Sequence, residues 1–171
     1  MELDPAYEKA LHNLANVLAE QNRHADAVTY YHRAGTAGYR HPSLFDGWAG
    51  SLAALGDVRG AEAMLQKAVR EWPDDPGVNK QLGKVLSLQL CWDGGAACLR
   101  KSIQKNPNDA LALRLYGALL IRLGRLDQAE RHLREALRLN PTDTDAGADL
   151  GVALLQQAKI DEADTSGRCW R

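Results

Sequence analysis

Apolar residues recur along this chain at three- and four-residue spacing, in paired stretches separated by short polar breaks. That is the pattern of amphipathic helices, not of strands. The pairs repeat. Pro73, Pro107 and Pro141 stand 34 residues apart, each after a helical stretch. Small residues keep the same interval in three series: Ala15, Ala49, Gly83, Gly117 and Gly151; Ala27, Ala61, Gly95, Ala129 and Ala163; Ala34, Ala68, Ser102 and Ala136. Larger residues interleave with them, as Leu14, Trp48, Leu82, Tyr116 and Leu150, and as Tyr31, Leu65, Leu99 and Leu133. Small residues recur where helices approach closely, and large ones fill the space beside them.

Each repeat divides into two helices. Asn22, Gly56 and Gly124 mark the turn between them, where a left-handed backbone ends the first helix at low cost. Leu90 and Ala158 occupy that turn position in the third and fifth units, which specifies those turns less well. Proline after the second helix stops it and starts the next unit. No pair buries its apolar face alone, so neighbours must stack.

A 34-residue helix-turn-helix with small residues at the eighth, twentieth and twenty-seventh places and proline at the thirty-second resembles the tetratricopeptide repeat. The resemblance covers nearly the whole chain: units at 8–41, 42–75, 76–109 and 110–143, then a partial fifth over 144–164. The cleanest copy is the fourth, ALALRLYGALLIRLGRLDQAERHLREALRLNP. Departures are Tyr39 in place of the first unit's proline, and Gly95 with Ser102 in the third unit. The resemblance implies an all-α fold, a right-handed open solenoid of stacked repeats.

The ends are ragged. Leu3, Asp4 and Pro5 lie in the register of a repeat's last residues, so 1–7 reads as the end of a missing preceding repeat. At the other end Gly167 falls where the ladder wants a large apolar residue and Trp170 where it wants alanine, leaving 165–171 as an irregular tail. The chain thus reads as a piece of a longer array. The fifth first-helix then lacks most of its partner, and Val152, Leu154 and Leu155 become an exposed edge expected to self-associate or to dock a partner.

Composition narrows the function. The 171 residues are 45% hydrophobic and 25% charged with a net charge of −1, which gives no general affinity for nucleic acid or membrane. No apolar run is long enough to span a bilayer, and the acidic start is unlike a secretory signal. Cys91, Cys98 and Cys169 lack zinc-ligand spacing, so the expected setting is reducing and cytoplasmic. Gly94-Gly95 is an isolated pair, not a phosphate loop, and His12, His24, His32, His41 and His132 form no metal-binding pattern. Neither a catalytic constellation nor a cofactor or metal site is expected. Acid pairs such as Asp74-Asp75 sit where carboxylates cap the following helix.

The resemblance places the first helix of each unit on a concave wall. On that wall it puts His12 and Asn16 in the first unit, Lys80 and Lys84 in the third, and Arg114, Ile121 and Arg122 in the fourth. Four cations facing one channel, with Ile121, Val152 and Leu155 on one flank, imply a peptide partner that carries carboxylates and an apolar anchor. The two-carboxylate clamp for chaperone tails is a poor fit, because of His12, Asn16, Gly47, Gly77 and Gln81 only Asn16 matches it. The stretch HNLANVLAEQNRHADAVTYYHRA resembles repeats in the arm of O-linked N-acetylglucosamine transferases, yet their asparagine ladder does not persist: Asn13 is followed by Gly47, Gln81, Leu115 and Asp149. The expected function is a protein–protein interaction scaffold or adaptor. The alternatives are a regulatory or substrate-recognition arm of a larger enzyme such as a glycosyltransferase, and self-assembly through open repeat ends.

Overall fold

Helix starts in this chain are set by the connector chemistry. His41, Asp75, Asp109 and Asp143 recur at one place in the repeat, and each side chain accepts a backbone N–H of the helix it precedes. Proline opens the helices that begin at Pro42 and Pro76, where its missing N–H removes a donor the helix leaves unpaired anyway. The computed structural model describes the backbone of residues 5–168 and the side chains of residues 7–160. Among the described residues all regular structure is helical.

The chain forms two compact units, Met1–Cys91 and Trp92–Arg171. The first contains α1 (Pro5–Glu20), α2 (His24–Ala37), α3 (Pro42–Ala54), α4 (Val58–Glu71) and α5 (Pro76–Leu88). Here each helix packs on its neighbour in sequence, and α3 also meets α1 and α5. The second contains α6 (Trp92–Lys105), α7 (Ala110–Arg122), α8 (Leu126–Leu139) and α9 (Thr144–Arg168). In it α7 packs on α6, α8 and α9, and α8 also packs on α9. The third repeat contributes one helix to each unit. The small-residue ladders are the crossings: Ala27, Ala34, Ala61, Ala68, Ala129 and Ala136 are all buried, next to the buried Tyr31, Leu65 and Leu133.

The turns within repeats adopt the left-handed backbone at Asn22 (φ 60), Gly56 (φ 85), Leu90 (φ 63) and Gly124 (φ 70). Leu90 therefore carries a conformation that disfavours a β-carbon, with its side chain in solvent. Leu90→Gly is expected to stabilise the chain by about 1 kcal/mol, read as a higher urea midpoint. A lower midpoint would mean that the exposed leucine makes a contact that matters.

Pro5 opens α1, so residues 5–7 are helical and continuous with the first helix of the first repeat. Leu3, Asp4, Cys169 and Trp170 lie outside the described residues. At the other end α9 runs unbroken through Ala158, where a turn was expected, and continues to Arg168, including Gly167. Its run LLQQAK consists of strong helix formers with no glycine or asparagine to accept a positive φ, so nothing local stops the helix.

Candidate functional site

The first-helix wall of the first unit starts from a crossing. Tyr31 reaches from α2 between α1 and α3, and its hydroxyl donates to Asn16 Oδ1 at 2.8 Å. Gly47 lets it pass, because a β-carbon there would lie 2.7 Å from Tyr31 Cζ. Burial pushes the Tyr31 pKa up to about 12, with Asp46 and Glu20 adding to the shift. Asn16 is thus half-buried with its carbonyl occupied, and the surrounding wall is acidic.

His12 is not an open wall residue. It is 5% exposed, stacked on Tyr39 at 4.8 Å between ring centroids and tilted against Tyr31. The departure of Tyr39 from the repeat's proline supplies the ring that covers it. Burial lowers its pKa, opposed by the backbone of Ser43, with the charge of His41 lowering it further and the Asn13 side chain raising it. On α5, Lys84 is exposed, whereas Lys80 is half-buried and engaged.

In the second unit α7 and α9 lie side by side, and acids at the start of α9 reach Arg114 of α7. Arg114 Nε lies 3.5 Å from Asp143 Oδ2 and its Nη1 lies 3.6 Å from Asp145 Oδ2, with the guanidinium side chain only 21% exposed. Asp143 meanwhile caps α9 through the Ala146 N–H at 3.0 Å. Arg114, expected to wait for a partner's carboxylate, is therefore already paired. Asp143, Asp145 and Asp149 are legible in sequence only if the wall is followed one repeat onward from Arg114. Arg122 is exposed and lies 6.0 Å over the Trp92 ring. Ile121 is half-buried against the core of this unit.

Asp149 sits among these groups. Burial pushes its pKa up, Arg114 opposes this, Asp145 and Asp143 reinforce it, and Arg122 opposes it again. Its folded-state pKa thus stands above the unfolded value of 3.8, so the folded state is favoured at acid pH and that advantage is lost as pH rises through the folded value. Asp149→Asn is expected to raise the urea midpoint at about pH 7 and to lose this benefit near about pH 3. An Asn variant less stable than the wild type at neutral pH would mean that attraction to the arginines outweighs burial.

The expected assembly edge divides in two. Val152 and Leu155, three apart and 43% and 65% exposed, share the α9 face of Asp145 and Ala148. Leu154, 40% exposed, points away from them and lines a separate cleft of about 690 Å³ with Ile160, Gln157 and the start of α8. Gln157 Nε2 donates across that cleft to Asp127 Oδ1 at 2.7 Å.

Tetratricopeptide-repeat family models match residues 9–34 and 110–143. No curated protein matches the chain in sequence. Among solved structures, YrrB, described as a tetratricopeptide-repeat protein with an unusual peptide-binding site, is 23% identical over 85% of this chain and 75% of its own, with a TM-score of 0.64. The tetratricopeptide-repeat protein TTC0263 of Thermus thermophilus is 23% identical over 91% of this chain and 86% of its own, at TM-score 0.75. PilF of Pseudomonas aeruginosa matches at TM-score 0.79 and 15% identity, over 92% of this chain and 72% of its own. The chain is a tetratricopeptide-repeat protein with the helical-repeat fold of these structures. In the general sense attached to this repeat it is a protein-interaction scaffold. Among the described residues no helix is long and apolar enough to cross a membrane, and no cluster of three or more His, Cys, Asp or Glu is arranged to hold a metal.

Proposed function

We propose that the chain binds a peptide segment of a protein partner on the wall formed by α7 and α9. The observation that carries this is the exposed pair Val152 and Leu155 on α9, with Ile121 at the repeat position on α7 that Leu155 holds on α9. The partner places an apolar anchor on that pair and a carboxylate toward Arg122. Arg114, paired with Asp143 and Asp145, contributes a mixed-charge border in place of a bare cation. Lys80 and Lys84, one turn apart on α5, and Asn16 on α1 are proposed as further polar contacts in the first unit.

Selection of random peptides on the immobilised protein tests this reading. The expected consensus is a leucine, isoleucine or phenylalanine within a few residues of an acid. The double variant Val152→Asp/Leu155→Asp should lose these peptides by about tenfold or more. A basic consensus, or undiminished binding by a variant of equal helicity, would count against the wall. A second reading, self-association, rests on the cleft at Leu154 and Ile160. It predicts a concentration-dependent mass that Leu154→Asp abolishes in sedimentation experiments, and a concentration-independent monomer would exclude it.

A further inference from the structure

The first unit has a second concavity, on the opposite side of α3 from the first-helix wall. Phe45 and Trp48 lie on the face of α3 away from Ser43, Asp46 and Gly50. With Tyr39 from the loop after α2 and Trp72 at the end of α4, they line a cleft of about 350 Å³. Phe45 and Trp72 are tilted together at 5.4 Å, and His32 of α2 meets the Trp48 ring edge-on at 5.8 Å. All four lining aromatics are half-buried, so each keeps part of its ring open to the cleft.

The cleft exists because one side chain is missing from a ladder. Val69, Ile103 and Leu137 hold the same repeat position on α4, α6 and α8, and the first unit has Gly35 there. Ile103 and Leu137 pack into the core beneath them. A β-carbon at Gly35 would sit 3.5 Å from Leu44 Cδ2 and 3.6 Å from Trp48 Cζ3, which is ordinary contact. The backbone there is helical, so neither a turn nor a clash demands glycine. What glycine leaves is an open hollow beside aromatic rings, which loses dispersion contacts while it is unfilled.

We propose that this aromatic cleft is a second docking site, for a partner segment that presents an aromatic side chain flanked by carboxylates. The rim supplies the charge argument. Arg40 and Lys67 stand at the cleft with one acid, Glu71, and Arg40 Nη1 already lies 3.4 Å from Glu71 Oε1. The surplus is positive, so a flanking acid is attracted and a cation is repelled. This separates the candidates. A methylated lysine would suit the rings but not the rim. The chain's own terminal RCWR carries an aromatic residue between arginines and has the wrong sign.

The test uses the full chain and the blocked peptide Gly-Asp-Phe-Glu-Gly, followed by the indole N–H signals of Trp48 and Trp72, which single Trp→Phe variants assign. Both signals should move and saturate at roughly 0.1–1 mM peptide. Peptides with lysine in place of the acids, with alanine in place of phenylalanine, or with the sequence Arg-Cys-Trp-Arg should bind about tenfold more weakly or worse. Gly35→Val, which fills the hollow without changing charge, should abolish the shifts while keeping helicity. Lys67→Glu should weaken binding about tenfold. In the Val152→Asp/Leu155→Asp variant the peptide should move the Trp48 and Trp72 signals as it does in the wild type, whatever it loses at the α7–α9 wall, so failure of the wall and failure of the cleft are read separately. Static indole signals, equal binding of the lysine peptide, or undiminished binding by Gly35→Val would overturn the proposal. So would indole shifts produced by dilution alone, which would assign the cleft to a second copy.

Discussion

Leu120→Ala is expected to destabilise the second unit by about 3 kcal/mol, and Leu154→Ala by less than about 1 kcal/mol. The two leucines hold the same repeat position, 34 residues apart, on α7 and α9. Leu120 is 0% exposed and belongs to the main cluster of its unit with Tyr116, Leu119 and Leu133. Truncating it removes the transfer energy of the lost methyl groups and leaves a cavity that the rigid α7–α8 crossing cannot close. Leu154 is 40% exposed: α9 continues as one helix, and among the described residues no second helix folds back over it. Its removal enlarges a cleft already open to water, so only a fraction of the transfer term is lost. Urea unfolding of the full chain gives the magnitudes. Amide exchange across α7–α9 localises them, since stacked repeats open in parts. Equal costs at the two positions would show that something covers Leu154 in solution.

That pair also marks what the sequence could say. A 34-residue ladder is legible because each repeat solves the same local problem: a small residue at a crossing, a large one beside it, an acid before the next helix. Asp75, Asp109 and Asp143 all cap as their positions imply. Leu90 shows the limit of local rules from one side. It turns with φ 63 even though leucine disfavours that backbone. Ala158 shows it from the other side. It holds the same repeat position, yet the helix runs on through the helix-forming run LLQQAK.

The wall was less legible than the ladder, for two reasons. Wall positions are not fixed by packing, so their surroundings come from neighbouring repeats. Arg114 reads as an open cation until the acids of the following repeat are placed beside it. His12 reads as a groove residue until Tyr39 closes over it. In both cases the decisive neighbour lies about one repeat away in sequence, beyond the reach of helix periodicity. The aromatic cleft escaped for a different reason. Gly35 interrupts the aliphatic ladder at Val69, Ile103 and Leu137, and an absence inside a helix gives no pattern to detect.

Gly117→Ala is expected to destabilise the second unit by about 2 kcal/mol, while Gly151→Ala stabilises it by about 0.5–1 kcal/mol. Both glycines lie inside helices at the ladder position that Ala15 and Ala49 occupy in earlier repeats. Helix propensity alone favours alanine at both, so the difference in sign must come from packing. A β-carbon at Gly117 would lie 2.6 Å from Leu133 Cγ and 2.8 Å from its Cδ2. Leu133 is 0% exposed and packed on all sides, so it can yield only by an unfavourable rotamer or by a shift of α8. At Gly151 nothing lies within 4 Å of the added carbon, and only the entropic gain of replacing glycine remains. Urea midpoints of the two variants, measured against the wild type, give both signs directly. Stabilisation by both would mean that Leu133 has slack the packed core does not show. Destabilisation by both would mean that in solution a second helix crosses α9 at Gly151 as α8 crosses α7 at Gly117.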